Sequence, residues 1–292
     1  MNINRLVVCL GALLMSLQVA AQGEDSLRSE RDLQVVTQLL PGIYANGNQA
    51  YFERRTGVAE ELRHGGLRVD ISTAGDNRFD VAVRENGGGP GRYQMALAVE
   101  PDRDQVKMTL SQQDQPDCLY TWIREAQQFR AVPDAPCGET MPLGFVLGSR
   151  QFWVEPSTGG NRAAGAYQLH RSRSFSCYVD IPGVGGGRDI PYERYEGIEL
   201  HDQWDAHWFE TRESPPRKLG ISLALVDWPI NNYHGVFTRD SLVIYVSEEV
   251  DGERKEHGYA FTVPYADRVG INLKWLLASC FMTPNSEATP SM

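Results

Sequence analysis

Between Leu67 and Leu110, apolar residues occupy alternate positions in four successive runs. They are Leu67, Val69 and Ile71; Phe79, Val81 and Val83; Tyr93, Met95, Leu97 and Val99; and Val106, Met108 and Leu110. A helix repeats every 3.6 residues and cannot gather such a pattern on one side, whereas a strand sends alternate side chains to opposite faces. The runs begin 12 to 14 residues apart and are separated by turn-forming stretches: Ala74-Gly75-Asp76-Asn77, Asn86-Gly87-Gly88-Gly89-Pro90-Gly91 and Pro101-Asp102-Arg103-Asp104. The pattern predicts an antiparallel meander with one buried face, extended by strands over 118–125 and 145–155. A meander this long must hide its edges, and closure into a β-barrel does so.

Upstream, Leu33, Val36, Leu39 and Leu40 recur at helical spacing, which predicts a short helix ending at Pro41-Gly42. Residues 22–31 are charged and poor in apolar residues, and read as a flexible lead-in. A domain boundary is expected at Pro156-Ser157-Thr158-Gly159-Gly160-Asn161, giving a barrel over 32–156 and a β-rich domain over 165–283, with a flexible tail at 284–292. Strands are expected there at 166–181, 195–201, 219–227 and 241–250, and a tight turn at Val250-Asp251-Gly252-Glu253. The alternation Val269, Ile271, Leu273, Trp275, Leu277 favours strand over helix. The expected class is mainly β.

At the start of the chain, a short polar segment with Arg5 precedes an apolar run from Leu6 to Leu17, followed by Val19-Ala20-Ala21. This is the three-part layout of a signal peptide over 1–21, with a run too short to span a bilayer. It implies a periplasmic or secreted protein with no membrane span after cleavage. A formal charge of −10 and a pI near 5.1 argue against nucleic acid or an anionic membrane surface as partner. Beyond the signal lie Cys118, Cys137, Cys177 and Cys280, which an oxidising compartment would pair. Three pairings exist. Cys118 with Cys137 and Cys177 with Cys280 is favoured, because the first closes a hairpin-sized loop and the second ties the C-terminal half together. No CxxC spacing suggests a redox or zinc site, and no metal is expected.

Three segments resemble the CpcT/CpeT family of bilin lyases: Leu40-Pro41-Gly42-Ile43-Tyr44-Ala45-Asn46 followed by Gln49; the strand opening Arg92-Tyr93-Gln94; and Asp117-Cys118 through Phe129 to Cys137. The likeness covers about half the chain, from Leu33 to Cys177. It implies a lipocalin-like antiparallel barrel with a short N-terminal helix, a homodimer, and chromophore lyase activity that attaches a bilin to a protein cysteine. An export signal and an unmatched C-terminal half depart from that family.

A small barrel has room for one ligand. Tyr120, Trp122 and Arg124 share a strand face, where Arg124 could meet a carboxylate; the alternative packs the two aromatics in the core and leaves Arg124 at the rim. Asn46 and Gln49 could hydrogen-bond a ligand at the mouth or cap the turn. Tyr93 joins them as a candidate. His201, Asp205 and His207 share a strand face, yet the histidines would lie about 20 Å apart on an extended strand, so a solvated hairpin is expected over a metal site. Gly183-Val184-Gly185-Gly186-Gly187-Arg188-Asp189 lacks the helix and lysine of a phosphate loop. Gly220-Ile221-Ser222-Leu223-Ala224 reads as continuous strand, not a nucleophile elbow. Asp227 to His234 mixes aromatics and amides, suited either to binding or to pinning a corner. The leading expectation is an exported binding protein for a small apolar or tetrapyrrole-like ligand, with no resident cofactor. The alternatives are the lyase, and a structural envelope protein whose barrel is filled by side chains.

Overall fold

A computed structural model describes residues 28–100, 103, 105–157, 165–183, 191–232 and 235–284. The signal segment, residues 184–190 of the glycine loop, Tyr233, His234 and residues 285–292 lie outside them. Residues 28–39 form helix α1, which begins inside the expected lead-in. Strand β1 (Gly42–Ala45), helix α2 (Gly47–Arg55) and a 3-10 turn at Glu60–Leu62 follow. Next come β2 (Leu67–Gly75), β3 (Arg78–Glu85), β4 (Gly91–Glu100), β5 (Gln105–Gln112), β6 (Cys118–Glu125), β7 (Gln128–Pro133), β8 (Gly144–Leu147), β9 (Gln151–Glu155) and β10 (Tyr167–Arg171).

These strands close into an antiparallel barrel in the order β1-β10-β9-β8-β7-β6-β5-β4-β3-β2. The alternation sets which way each strand faces. Leu67, Val69 and Ile71 of β2, Phe79 and Val81 of β3, Met95 and Leu97 of β4, and Val106, Met108 and Leu110 of β5 are all buried in one core. The stretch 145–155 is two strands, not one, because the chain turns at Gly148 and the Gly148 amide bonds back to the Gln151 carbonyl (2.9 Å). The barrel also runs past the stretch where the sequence places a boundary: Tyr167–Arg171 is the strand that meets β1 and closes the ring.

Helix α1 stops one end of the barrel. Its Val36 and Leu39 are buried in the barrel core together with the adjoining Leu40. The last carbonyls of a helix have no partner within it, and the barrel supplies donors: Tyr44 Oη to the Leu39 carbonyl (2.7 Å), and the Arg171 guanidinium to the carbonyls of Leu39 and Pro41. Burial pushes the Tyr44 phenol up to about 12, and the same guanidinium lies 4.9 Å over its ring. Nearer the start of α1, Asp32 pairs with Arg124 at 2.7 Å.

The remaining described strands are β11 (Ser174–Pro182), β12 (Tyr192–His201), β13 (Gln203–Glu210), β14 (Lys218–Asn232), β15 (Gly235–Val250), β16 (Glu253–Thr262), β17 (Arg268–Asn272) and β18 (Leu277–Met282). They form two four-stranded sheets, β12-β11-β18-β17 and β13-β14-β15-β16. Phe175, Val179 and Leu200 of the first share a core with Leu219, Ile221, Leu223, Leu242 and Ile244 of the second, which makes a face-to-face sandwich. The alternation over 269–277 spans two strands, interrupted at Lys274, whose φ is 70°. Cys177 and Cys280 face each other across β11 and β18 and are disulfide-bonded, with Cα atoms 4.0 Å apart.

Candidate ligand-binding site

The end of the barrel opposite α1 carries the connections β1–β2, β3–β4, β5–β6, β7–β8 and β9–β10, and there the interior is hollow. A cavity of about 320 Å³ opens between the strand ends. Its wall is apolar, with Val69, Val81, Met95, Leu110, Phe145 and Phe152; its rim holds Glu85, Tyr93, Thr140, Glu155, Ser157 and Tyr167. Period-two geometry explains this division. Tyr93 lies in phase with Met95 and Leu97 and so faces inward; Glu85 continues the series Val81, Val83 by one step at the end of β3; Tyr167 is in phase with buried Leu169. Thr140 and Pro142 come from the connection after β7, which the Cys118–Cys137 disulfide fastens to β6 (Cα atoms 5.6 Å apart).

The rim is acidic. Glu155 pairs with Arg130 (2.7 Å), while Glu85 has no ion-pair partner among the described residues. Burial, and then the Glu85 carboxylate, raise the Tyr93 phenol above its ordinary value; burial, Glu85 and Glu53 do the same at Tyr167. Both rings are therefore neutral at pH 7. No Lys or Arg is among the described residues lining the cavity. Behind Tyr167, the buried His64 ring sits edge-on at 4.8 Å, with Nδ1 2.7 Å from Glu53 Oε1 and Nε2 3.2 Å from the Gly165 carbonyl. This network holds the segment after α2 against the rim.

Of the residues singled out from sequence, Tyr93 alone lines this cavity. Tyr120 is fully buried behind it, donates to the Pro142 carbonyl (2.7 Å) and packs edge-on against Phe145; burial raises its phenol strongly. Asn46 is fully buried with both ends of its amide engaged, Nδ2 donating to the Gly65 carbonyl (2.8 Å) and Oδ1 accepting from the Leu67 amide (2.7 Å). Gln49 bridges the Ala166 carbonyl (3.1 Å) and the Gln168 amide (2.9 Å). The two amides thus brace the connections around the mouth. Trp122 and Arg124 lie at the stopped end, Arg124 over the Phe129 ring at 5.3 Å and paired with Asp32. Sequence reasoning passed over Glu85, Glu155, Tyr167 and His64. Carrying the β3 alternation one residue further would have put Glu85 on the inner face.

The other candidate stretches take structural places. His201 is buried beside Asp205, with Nε2 3.5 Å from the carboxylate, and the chain turns at Asp202, leaving His207 exposed on β13. Ser222 is buried in mid-strand within β14 and accepts from Arg254 (3.3 Å). Among the described residues, no group of three or more His, Cys, Asp or Glu could hold a metal ion, and no helix is long and apolar enough to cross a membrane. No protein-family model, curated protein or solved structure matches the chain.

Proposed function

We propose that this chain is a lipocalin-like carrier that holds one compact, largely apolar small molecule in the mouth of its barrel, outside the cytoplasm. The supporting observation is the division of the barrel interior: α1 and its companions fill one end, while the other keeps about 320 Å³ lined by aliphatic and aromatic side chains. An engineered apolar cavity of about 150 Å³ in another protein takes up benzene. Roughly twice that volume suits a molecule of about two rings, near the lower end of ordinary ligand pockets. The four pyrrole rings of a bilin, which the family resemblance implies, need more room than this, so the compact ligand is the better fit. A barrel filled by side chains throughout would leave no such space. The two disulfides support an oxidising compartment, in keeping with the export segment read from the sequence.

The test is a fluorescence titration with 1-naphthylmethanol, a neutral two-ring probe, on wild type and on Val81→Trp, which fills the cavity from β3. Saturable binding by wild type and its loss in a folded Val81→Trp protein is the expected result. Equal binding by both proteins, or no binding by either, overturns the proposal.

A further inference from the structure

We infer that the ligand carries a cationic head, an ammonium group on a compact apolar body, held at the cavity mouth by Glu85 and faced by the rings of Tyr93 and Tyr167. This rests on the cavity being a binding site. The wall offers a charged group nothing, so any polar end must sit at the rim. Among the described residues lining it, the ionic groups there are carboxylates alone: Glu155 is already paired with Arg130, and Glu85 has no ion-pair partner among the described residues. Arg124, the residue that sequence offered for a ligand carboxylate, is at the far end and paired with Asp32. An anionic head would meet Glu85 with no compensating cation among the described lining residues.

The aromatic content points the same way. Tyr93 and Tyr167 at the rim, with Phe145 and Phe152 below, give the negative ring faces that attract ammonium groups, the composition of an aromatic cage beside a carboxylate. Both phenols stay protonated, so their oxygens accept hydrogen bonds without adding charge. A bare metal ion is a poor alternative, because no cluster of three ligating side chains exists among the described residues. The formal charge of −10 draws organic cations toward the surface in general.

The experiment compares three probes with one naphthalene body: 1-naphthylmethylammonium, 1-naphthylmethanol and 1-naphthoate. Each is titrated at low salt, pH 7, against wild type and Glu85→Gln, with the exposed Glu253→Gln as a charge-matched control. A rim ion pair and a ring contact, each modest alone, together predict that wild type binds the ammonium about tenfold tighter than the alcohol, and the acid weakest. In Glu85→Gln the preference for the ammonium over the alcohol falls to about twofold or less, whereas Glu253→Gln keeps it. Added salt narrows the wild-type gap. If the alcohol binds wild type as tightly as the ammonium, or the preference survives Glu85→Gln, the cationic inference fails and the cavity reading stands. If none of the three probes binds, the cavity reading itself fails, and the inference with it.

Discussion

Trp204 Nε1 donates a 2.8 Å hydrogen bond to Asn48 Oδ1, and the Tyr51 ring stacks on the same indole with centroids 4.2 Å apart. Trp204 belongs to the sandwich and the other two to α2, so these contacts join the mouth of the barrel to its neighbour. Asn48 also donates to the Leu225 carbonyl (2.7 Å). The helix comes this close because residue 47 is glycine: a Cβ there would lie 2.6 Å from the Gln203 carbonyl oxygen. Asn48→Ala and Trp204→Phe should each destabilise the protein, and their double-mutant cycle in urea should return a coupling of about 1 kcal/mol. Gly47→Ala should cost about 1–3 kcal/mol by overpacking. Strict additivity of the pair would mean that the hydrogen bond contributes nothing.

Asn46 makes a second, sharper case. It has no solvent exposure, and its amide is the partner of both the Gly65 carbonyl and the Leu67 amide. Asn46→Ala strands both groups, which should lower stability by about 2–4 kcal/mol. The denaturation midpoint falls with an unchanged m-value. Because the side chain does not reach the cavity, binding of 1-naphthylmethanol at temperatures where the variant is folded should stay within about twofold of wild type. A loss of binding with stability intact would make Asn46 a ligand contact.

The two disulfides should differ both in size and in kind of effect. Their sequence separations are 19 and 103 residues. Chain-entropy arguments then predict losses of about 3 kcal/mol for Cys118→Ala with Cys137→Ala, and about 5 kcal/mol for Cys177→Ala with Cys280→Ala. The shorter-range bond anchors the β7–β8 connection, which bears Thr140 and Pro142 beside the cavity. Its removal should therefore weaken probe binding severalfold, whereas removing the bond inside the sandwich should leave affinity unchanged at temperatures where the variant is folded. Paired urea melts and titrations check both halves of this expectation.

The barrel was legible because alternation reports directly on which face of a strand meets the core. Leu67, Phe79, Met95 and Met108 all point where their periodicity puts them. The turn at Gly148 was missed because the apolar residues Phe145-Val146-Leu147 and Phe152-Trp153-Val154 on either side of Gly148-Ser149-Arg150-Gln151 were joined into one strand, although those four residues are turn-forming. The site was less legible for a different reason. Periodicity says that Tyr120 and Trp122 face inward, but not which end of the barrel they reach; that depends on register and on where α1 docks, both set by contacts remote in sequence. Glu85 and Tyr167 sit 82 residues apart in sequence and meet at one rim only after the ring closes through β1 and β10. The amides of Asn46 and Gln49 likewise bond to backbone groups that only the folded chain brings near.

His201 predicts how stability responds to acid. It sits where the two units meet: Arg68 of the barrel approaches Asp205 of the sandwich (3.8 Å), and Asp202 holds Arg173 (2.7 Å). Burial pushes the imidazole below its ordinary value of 6.5; Asp205 pulls upward, Arg68 downward, and Asp202 and Asp70 upward, without reversing the direction. The folded protein therefore keeps the ring neutral at pH values where the unfolded chain has already bound a proton. Stability from this residue is complete above about 6.5 and is lost as the pH falls from there toward the lowered folded value. His201→Gln retains hydrogen-bonding capacity but cannot titrate, and the remaining histidines and carboxylates are common to both proteins. Thermal melts between pH 7.5 and about 5 should show wild type losing stability more steeply than the variant. Parallel curves would mean that the ring is charged equally readily in both states, and that burial at this junction does not govern its protonation.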